Sequence, residues 1–325
     1  MKKTVLAFNR VSPELVERLQ PHVELIVPSP ERGDIATQFA AALPHTHGLI
    51  GAGRPLGEEQ LRSAERLEVI SSISVGYDNY DVDYLTQRGI LLTNTPDVLT
   101  ESTADLAFAL LMSAARRVAE LDAWTKAGNW KRTVESALFG CDVHGKTLGI
   151  VGLGNIGAAI ARRGRLGFGM NVLYSGNSRK PALEQELGAQ YRSLDELLGE
   201  ADFVCLVVPL SAQTRHLIGR RELALMKPSA ILVNIARGAV VDEAALIEAL
   251  QEKRIRGAGL DVYEKEPLAD SPLFALPQAV TLPHIGSATH ETRQAMADRA
   301  VDNLLAALAG ERPRDLVNPQ AWRKA

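Results

Sequence analysis

The chain has 325 residues, 46% of them hydrophobic and 23% charged, with a formal net charge of −3. Chains beyond about 300 residues tend to split into two domains, and this composition is typical of globular proteins. The small net charge argues against a nucleic-acid partner, and no apolar run approaches the roughly 18 residues of a membrane span. We therefore expect two domains, no membrane segment and no nucleic-acid partner.

Cysteine usage indicates a reducing compartment. The chain has two cysteines, Cys141 and Cys205, and neither belongs to a CxxC pair. Cys205 lies within DFVCLVVPL, a pattern typical of a buried strand, so we expect an inert core thiol. The basic start MKKTVLAFNR has too short an apolar run for the core of a signal peptide. These features predict a cytoplasmic protein without a structural zinc site or another metal centre.

The first third of the chain alternates short apolar runs with helical segments. Ser12 followed by Pro13 is typical of a helix N-terminus and predicts a helix over 13–20. Such alternation predicts a parallel sheet with helices on its faces. The predicted strands are TVLAFN (4–9), VELIVP (23–28), GLIGAG (48–53), LEVISSISVG (67–76) and ILLTNT (90–95).

Residues 101–130 are predicted to form one long helix. Ala and Leu dominate its first half on nearly every side, which indicates burial between domains or against another subunit. A long helix after five strand–helix units is also a natural crossing point between two domains.

A second strand–helix series begins at Lys146. Asp242 is predicted to cap the helix EAALIEALQEK, and the last helix covers about 289–309. That last helix has no place in the second series, so we expect it to return to the first domain. The strands of the second series are predicted within KTLGIVG, MNVLYSG, ADFVCLVVPL, SAILVNIARG, RGAGLDVY and AVTLPHIG.

These elements predict an α/β fold class with two doubly wound Rossmann-like domains. One domain is discontinuous and contains 1–99 plus 286–325, while the other contains 100–285. A deep cleft between the two domains is the natural ligand site, because ligands of such folds bind at domain interfaces and at the carboxyl ends of strands.

The stretch VGLGNIG carries a GxGxxG pattern between a predicted strand and a predicted helix. In a dinucleotide site Gly152 makes the tight turn, Gly154 lets the backbone approach a pyrophosphate, and Gly157 packs the helix on the strand. The backbone of Asn155 and Ile156 opens the helix and belongs to the same predicted site. A glycine-rich turn without a ligand has the same letters, but the strand–turn–helix context favours a dinucleotide.

The acidic residue that usually follows this fingerprint is missing. An Asp or Glu about 20 residues on binds the ribose 2′-OH in NAD-binding proteins, whereas this chain has Ser175 within LYSGNSRK. Ser175 and Asn177 can donate hydrogen bonds, and Arg179 can bind a phosphate through charge-assisted bonds. We therefore predict that NADPH (NADP) is preferred, with NADH possible. The alternative is that Arg179 and Lys180 form a solvated surface pair.

Three chemically distinctive residues follow predicted strands in the second series. Arg237 follows AILVNI, Glu266 lies in the loop after GLDVY, and His284 follows VTLP. An Arg, a carboxylate and a His at three strand ends form a sensible catalytic set. Each could singly be an ordinary surface residue, but behind a dinucleotide fingerprint we interpret them jointly as catalytic.

The chain resembles the D-isomer-specific 2-hydroxyacid dehydrogenase family over nearly its whole length. The motifs that carry the resemblance are VGLGNIG, NIARGAVVDEAAL, GAGLDVYEKEP and LPHIGSAT, in the order and approximate spacing of the family. The stretch FGCDVHGKTLGIVGLGNIG makes it most similar to the glyoxylate, hydroxypyruvate and 2-ketogluconate reductase branch.

The resemblance implies reduction of a small 2-oxo acid to the D-2-hydroxy acid, and the missing acidic residue predicts NADPH as the preferred hydride donor. His284 would donate a proton to the carbonyl oxygen, and Glu266 would orient the ring and favour its protonated form. Arg237 would bind the substrate carboxylate and polarise the carbonyl group. The resemblance also implies a homodimer built partly on the 101–130 helix region.

Further binding residues follow from the same resemblance. Val75 and Gly76, in SISVGYDN, would bind the substrate carboxylate through their backbone N–H groups. The positions that match the nucleotide site are Pro209, Thr214, Ala236, Asp261 and, more weakly, Thr103.

Two other functions remain open at this point. Phosphite dehydrogenase resembles the same family and uses a similar Arg–Glu–His set. A nucleotide-sensing interaction protein, like the family's C-terminal-binding-protein corepressors, would keep the same motifs. Turnover of glyoxylate with NADPH distinguishes reductase activity from both alternatives.

Overall fold

The computed structural model describes residues 2–322, and the chain divides into two compact units. One unit is Met1–Leu99 with Thr289–Ala325, and the other is Thr100–Ala288. The chain returns to the first unit at Thr289, three residues after the predicted boundary. The reason is that Ile285 and Gly286 are hydrogen-bonded to Asp261 in the second unit.

The first unit contains a parallel five-stranded sheet in the order β2-β1-β3-β4-β5 within the described residues. Helices cover both faces of this sheet, as in a doubly wound fold. Numbered along the chain, its elements are β1 (Thr4–Phe8), α1 (Pro13–Leu19), β2 (Glu24–Ile26), α2 (Ile35–Ala42), β3 (Gly48–Gly51), α3 (Glu58–Leu61), β4 (Val69–Ser72), α4 (Val82–Gln87), β5 (Leu91–Thr93) and α12 (His290–Leu308).

The last helix packs within the first unit, as the sequence predicts. Met296, Val301 and Leu304 of α12 are buried in the core that lies on the α1 face of the sheet. The segment after α12 is anchored by the buried Asn318. Its amide accepts a hydrogen bond from the Leu92 N–H at 2.8 Å and donates to the Ile90 carbonyl at 2.9 Å.

The second unit contains a parallel seven-stranded sheet in the order β12-β11-β10-β9-β6-β7-β8, counted over the described residues. Buried apolar side chains form a core on each face of this sheet. Its elements are α5 (Thr100–Arg116), α6 (Val118–Lys126), β6 (Thr147–Val151), α7 (Asn155–Arg162), β7 (Asn171–Ser175), α8 (Pro181–Leu187), β8 (Gln190–Tyr191), α9 (Leu194–Glu200), β9 (Phe203–Leu206), α10 (Arg220–Leu225), β10 (Ile231–Asn234), α11 (Glu243–Gln251), β11 (Gly257–Leu260) and β12 (Ala279–Thr281).

The two sheets confirm the predicted α/β class with two Rossmann-like domains. Both predicted helix caps are also present. Ser12 Oγ accepts a hydrogen bond from the Leu15 N–H at 3.2 Å, and Asp242 Oδ1 accepts one from the Ala245 N–H at 3.0 Å. Side-chain acceptors at these positions stabilise a helix by satisfying N–H groups of its first turn.

The single long helix predicted over 101–130 is wrong. Arg117 adopts a left-handed conformation (φ 56°) between α5 and α6, and such a residue cannot continue a right-handed helix. The chain returns to cap the end of α5, since the Cys141 N–H donates to the Ala115 carbonyl at 2.9 Å. The apolar periodicity of this stretch could not predict where α5 ends, because the group that caps it is distant in sequence.

The cysteines are free thiols, and burial raises the pKa of Cys205 to about 12, as expected of an inert core thiol. Within residues 2–322 every helix is too short or too polar to cross a membrane. The same residues contain no group of three His, Cys, Asp or Glu side chains that could hold a metal ion. The cytoplasmic location stays a prediction.

Candidate active site

The glycine fingerprint forms a strand–turn–helix junction between β6 and α7. Gly152 has a φ of +101°, and a Cβ there would lie 2.7 Å from the Val207 carbonyl oxygen. A Cβ on Gly157 would lie 2.3 Å from the Gly152 carbonyl oxygen, so both positions require glycine. Gly154 is the N-cap of α7, and a Cβ there would meet no atom within 4 Å beyond its chain neighbours. This open space at a helix N-terminus fits a pyrophosphate.

The loop over 176–180 follows β7 and is held by two tyrosine hydroxyl groups. Tyr174 Oη accepts a hydrogen bond from the Lys180 N–H at 2.7 Å and donates to Glu184 Oε1 at 2.5 Å. Tyr191 Oη donates to the Gly176 carbonyl at 3.2 Å. Because both ends of the loop are tied, its polar side chains are held beside the end of β7.

Arg179 pairs side-on with Glu184. Its Nε lies 3.0 Å from Oε1 and its Nη2 lies 2.5 Å from Oε2. Hydrogen bonds from Arg179 and Tyr174 lower the pKa of Glu184, and the carboxylate in turn raises the pKa of Arg179. The side chain of Arg179 is 66% exposed, and the pairing directs the Nη1 edge of the guanidinium away from Glu184. Arg179 is therefore not a purely solvated cation, which was the alternative that the sequence allowed. The Nη1 edge of its guanidinium remains available to a ligand.

Pro209 and Thr214 lie in one loop after β9. Thr214 Oγ1 donates to the Pro209 carbonyl at 2.6 Å and accepts from the Ser211 N–H at 2.8 Å. The hydroxyl group closes this loop at the same carboxyl edge of the sheet as the end of β6, because β6 and β9 are parallel neighbours.

Arg237 lies in a turn that the buried Asn234 organises. The Asn234 side chain accepts a hydrogen bond from the Ala236 N–H at 3.0 Å and donates to the Arg237 carbonyl at 3.0 Å. A Cβ on Gly238 would lie 1.7 Å from the carbonyl carbon of Tyr263. The absence of a side chain at Gly238 thus brings the Arg237 turn against the loop that leads to Glu266.

His284 and Glu266 are directly hydrogen-bonded. The distance from His284 Nδ1 to Glu266 Oε2 is 2.6 Å, and Glu266 Oε1 accepts from the Tyr263 N–H at 3.0 Å. Burial acts to raise the pKa of Glu266, but hydrogen bonds from His284 and Tyr263, together with the charge of Arg237, outweigh it and hold this pKa below its usual value. The carboxylate is therefore charged near neutral pH and holds Nδ1 of the ring, while Nε2 remains for a ligand.

Asp261 anchors the loop that carries His284. Its two carboxylate oxygens accept hydrogen bonds from the Ile285 N–H at 2.7 Å and the Gly286 N–H at 2.8 Å. Thr103 Oγ1 donates to the Gly286 carbonyl at 3.1 Å. Asp261 and Thr103, both predicted as cofactor contacts, thus lie at this loop. Burial raises the pKa of Asp261 despite these hydrogen bonds.

A cavity of about 460 Å³ lies beside the His284–Glu266 pair. Apolar side chains of Leu268, Phe274 and Pro283 line it together with the pair. Phe274 is 54% exposed, so the cavity opens to solvent on this side. A small molecule can therefore approach the pair without a large rearrangement of the second unit.

The predicted site residues fall in both units. Val75 and Gly76 lie in the first unit after β4, where the Val75 carbonyl accepts a hydrogen bond from Asn94 at 2.9 Å. The remaining predicted residues lie in the second unit, most of them at strand ends. The sequence alone did not identify five residues that support the site. For one of them it does carry a signal, because an Asn interrupts the apolar run AILVNIARG. Those supporting residues are Tyr174, Glu184, Asn234, Gly238 and Tyr263.

Comparisons with known proteins show what the chain is similar to. Residues 108–286 match the family model described as D-isomer specific 2-hydroxyacid dehydrogenase, NAD binding domain. The chain is 50% identical over 324 residues to glyoxylate/hydroxypyruvate reductase B of Pectobacterium carotovorum subsp. carotovorum (strain PC1), covering 99% of this chain and 100% of that protein.

Solved structures of similar proteins share the whole fold. One is the NADPH-dependent glyoxylate/hydroxypyruvate reductase of Sinorhizobium meliloti in complex with NADP and malonate, which is 35% identical with a TM-score of 0.89 and covers 100% of this chain and 99% of that chain. Another is the TT0316 protein of Thermus thermophilus, which is 43% identical with a TM-score of 0.86 and covers 97% of this chain and 99% of that chain.

Replacing His284 by Asn should raise the pKa of Glu266, because the interaction with the His284 ring no longer offsets the effect of burial on this carboxyl group. In the wild type the lowered pKa stabilises the folded state at pH values above the usual pKa of a Glu side chain. This stabilisation is lost as the pH falls through the lowered pKa. Carbon-13 NMR titration of the Glu side chains measures the shift. His290→Asn, at the start of α12, is the control and should leave Glu266 unchanged. An unchanged Glu266 titration in His284→Asn would contradict the pairing.

Proposed function

The chain belongs to the D-isomer specific 2-hydroxyacid dehydrogenase family and is an NAD(P)-dependent oxidoreductase; we propose that it reduces a small 2-oxo acid to the D-2-hydroxy acid with NADPH. Glyoxylate and hydroxypyruvate are the first candidate substrates, because the relatives carry those names. 2-Ketogluconate is a third candidate from the resemblance of the sequence. The observation that carries the proposal is the hydrogen-bonded His284–Glu266 pair, with Arg237 close enough to lower the pKa of Glu266.

His284 acts as the general acid in this proposal. Glu266 holds Nδ1, so the ring presents Nε2 as its second proton site. When hydride reaches C2 of the substrate, the carbonyl oxygen gains negative charge and takes the proton from Nε2. In the reverse direction the neutral ring removes the proton from the hydroxyl group. The Glu266 carboxylate stabilises the charged ring in either direction.

Arg237 binds the substrate carboxylate. Its planar guanidinium offers paired N–H donors that match two carboxylate oxygens. The Asn234 side chain fixes the Arg237 turn, and Nη1 of Arg237 also donates to the Ala236 carbonyl at 2.9 Å. Backbone N–H groups of Val75 and Gly76, in the first unit, supply the other carboxylate contacts in this proposal.

The residues around the fingerprint fit a nicotinamide dinucleotide. Such a cofactor, when bound, supplies the hydride. Gly152, Gly154 and Gly157, with the backbone of Asn155 and Ile156, would hold its pyrophosphate at the start of α7. Further contacts are proposed for Pro209, Thr214, Ala236, Asp261 and Thr103.

NADPH preference rests on the end of β7. No carboxylate of the 175–180 stretch replaces the missing acid, so nothing in that stretch repels a 2′-phosphate. Ser175 and Asn177 offer hydrogen-bond donors, and Arg179 is held with its Nη1 edge directed away from Glu184. NADP is bound in the Sinorhizobium meliloti relative. These observations support NADPH as the preferred cofactor.

Arg179→Ala should raise KM for NADPH about tenfold and change KM for NADH less than about twofold, since about 1.4 kcal/mol of charge-assisted bonding to the 2′-phosphate is lost. Steady-state kinetics with both cofactors measures this. Arg221→Ala is a matched control, because Arg221 is similarly exposed and pairs with Asp195. Equal changes of KM for both cofactors would show that Arg179 does not bind the 2′-phosphate.

Substrate identity is tested by a panel of 2-oxo acids with NADPH and NADH. We expect reduction of glyoxylate or hydroxypyruvate, with the higher kcat/KM for NADPH, followed by absorbance of the reduced nicotinamide. Phosphite with NADP or NAD belongs in the same panel. Oxidation of phosphite without reduction of any 2-oxo acid would favour a phosphite dehydrogenase. Cofactor binding without any turnover would favour a nucleotide-sensing interaction protein.

We also propose a homodimer through the 101–130 region. No residue of α6 is buried within the described chain. The exposed fractions are 55% for Val118, 65% for Trp130 and 58% for Phe139, and large apolar side chains exposed in one stretch indicate a protein contact.

Val118→Asp should convert the dimer to a monomer, because a charge on this apolar surface must lose its water when the contact forms. Light scattering on a size-exclusion column measures the mass against 35.2 kDa for one chain. Leu225→Asp, on a separate exposed position, should leave the mass of the dimer unchanged. A wild-type mass of one chain would exclude the dimer.

A further inference from the structure

The loop that follows β4 is hydrogen-bonded along one side to the segment that follows β5. The Ser74 carbonyl accepts a hydrogen bond from the Thr95 N–H at 3.0 Å. The next carbonyl, that of Val75, accepts one from the side-chain amide of Asn94 at 2.9 Å. Because β4 and β5 are parallel neighbours, the two segments leave the same edge of the sheet of the first unit. Two successive peptides of the loop are therefore fixed by groups from outside it.

These two hydrogen bonds determine where the next N–H groups of the loop point. In a trans peptide, as both of these are, the carbonyl of one residue and the N–H of the following residue lie in one plane and point in opposite directions. A bond to the Ser74 carbonyl thus orients the Val75 N–H, and a bond to the Val75 carbonyl orients the Gly76 N–H. Neither N–H group has a protein acceptor in the part of the chain that the structure describes. Both donors therefore face away from residues 94–95 and remain for a ligand.

Of these two anchors, Asn94 is the one that depends on the type of side chain. Thr95 acts through its backbone N–H, which every residue except proline carries. Asn94 acts through its side-chain amide, and neither a Leu nor an ionised Asp of similar size offers an N–H donor there. The orientation of the Gly76 peptide is thus encoded by the residue at position 94.

The backbone of Asn94 is itself fixed by a buried polar network. Its N–H donates to the Asp315 carbonyl at 3.2 Å, and its carbonyl accepts from the Asn303 side chain at 3.2 Å. Asn303 is 1% exposed and also donates to Asp315 Oδ2 at 3.0 Å. Arg299 pairs with the same carboxylate, with 3.1 Å between Nε and Oδ2. A side chain on a fixed backbone loses less freedom when it forms its hydrogen bond, so the Asn94 amide is directed at the loop before a ligand arrives.

We propose that Asn94 is a positioning residue for the substrate carboxylate, acting through the peptide between Val75 and Gly76 without touching the substrate. This inference rests on the proposed reductase function, in which the Val75 and Gly76 N–H groups bind that carboxylate. The Asn94 hydrogen bond aims the Gly76 N–H and polarises the same peptide, which strengthens this N–H as a donor. Since the carboxylate keeps its charge throughout the reaction, Asn94 contributes to substrate binding and not to the chemical step.

The test measures kcat, KM for glyoxylate and KM for NADPH in the wild type and in Asn94→Leu. Leu is similar to Asn in shape but has no N–H donor, so the Gly76 peptide loses its anchor. We expect KM for glyoxylate to rise about tenfold, while kcat and KM for NADPH stay within about twofold of the wild type.

Asn79→Leu is the matched control. The Asn79 amide donates to the Arg54 carbonyl at 2.7 Å, so this variant also loses one amide-to-carbonyl hydrogen bond in the first unit. That bond lies outside the peptides that Asn94 and Thr95 hold. KM for glyoxylate in Asn79→Leu should therefore stay within about twofold of the wild type.

Two further substitutions of Asn94 separate positioning from folding. Asn94→Asp keeps the size of the side chain but offers no N–H near neutral pH, so KM for glyoxylate should rise at least as much as in Asn94→Leu. Asn94→Gln keeps an amide donor on a longer side chain, so its increase in KM should be smaller. The comparison of these two variants decides the question even if Asn94→Leu does not fold.

Three results would overturn the role of Asn94 while leaving the proposed function intact. They are an unchanged KM for glyoxylate in Asn94→Leu and Asn94→Asp, an equal increase in Asn79→Leu, and a loss confined to kcat. A wild type that reduces no 2-oxo acid overturns the proposed function and, with it, the role of Asn94.

Discussion

The buried carboxylate of Asp261 fixes the loop on which the candidate active site depends. Each of its oxygens accepts one backbone N–H, from Ile285 and from Gly286, directly after His284. His284 has a left-handed backbone (φ 53°), a conformation that costs a non-glycine residue about 1 kcal/mol or more and persists only where neighbours enforce it. Asp261 and Thr103 supply that constraint, so the ring is positioned before any ligand arrives.

The other parts of the site are positioned by parallel strands and close backbone contacts. Strands β10, β11 and β12 are neighbours, so the turns that follow them meet at one edge. Gly238 lets the Arg237 turn lie against Tyr263, and the Tyr263 hydroxyl donates to the Leu260 and Leu282 carbonyls. The catalytic set is thus assembled from three strand ends, which are held together by these contacts and by the hydrogen bond between His284 and Glu266.

Much of this arrangement could be predicted from the sequence, because it depends on local rules. Strand–helix alternation indicated the two sheets, and the GxGxxG spacing located the β6–α7 turn. The break at Arg117 could not be predicted, because the group that caps α5 comes from Cys141, which is distant in sequence. For the same reason the role of Asp261 at the His284 loop became visible only in three dimensions, because Asp261 and the residues it binds are distant in sequence.

The pH dependence of wild-type kcat/KM in both directions tests the central claim, that His284 exchanges the proton with the substrate oxygen. Reduction of glyoxylate or hydroxypyruvate should decrease as pH rises, since the protonated ring is the reactant. Oxidation of the corresponding D-2-hydroxy acid should increase over the same pH interval, and His284→Asn should abolish both trends. Reduction and oxidation that respond to pH in the same direction, or wild-type trends that persist in His284→Asn, would contradict the account.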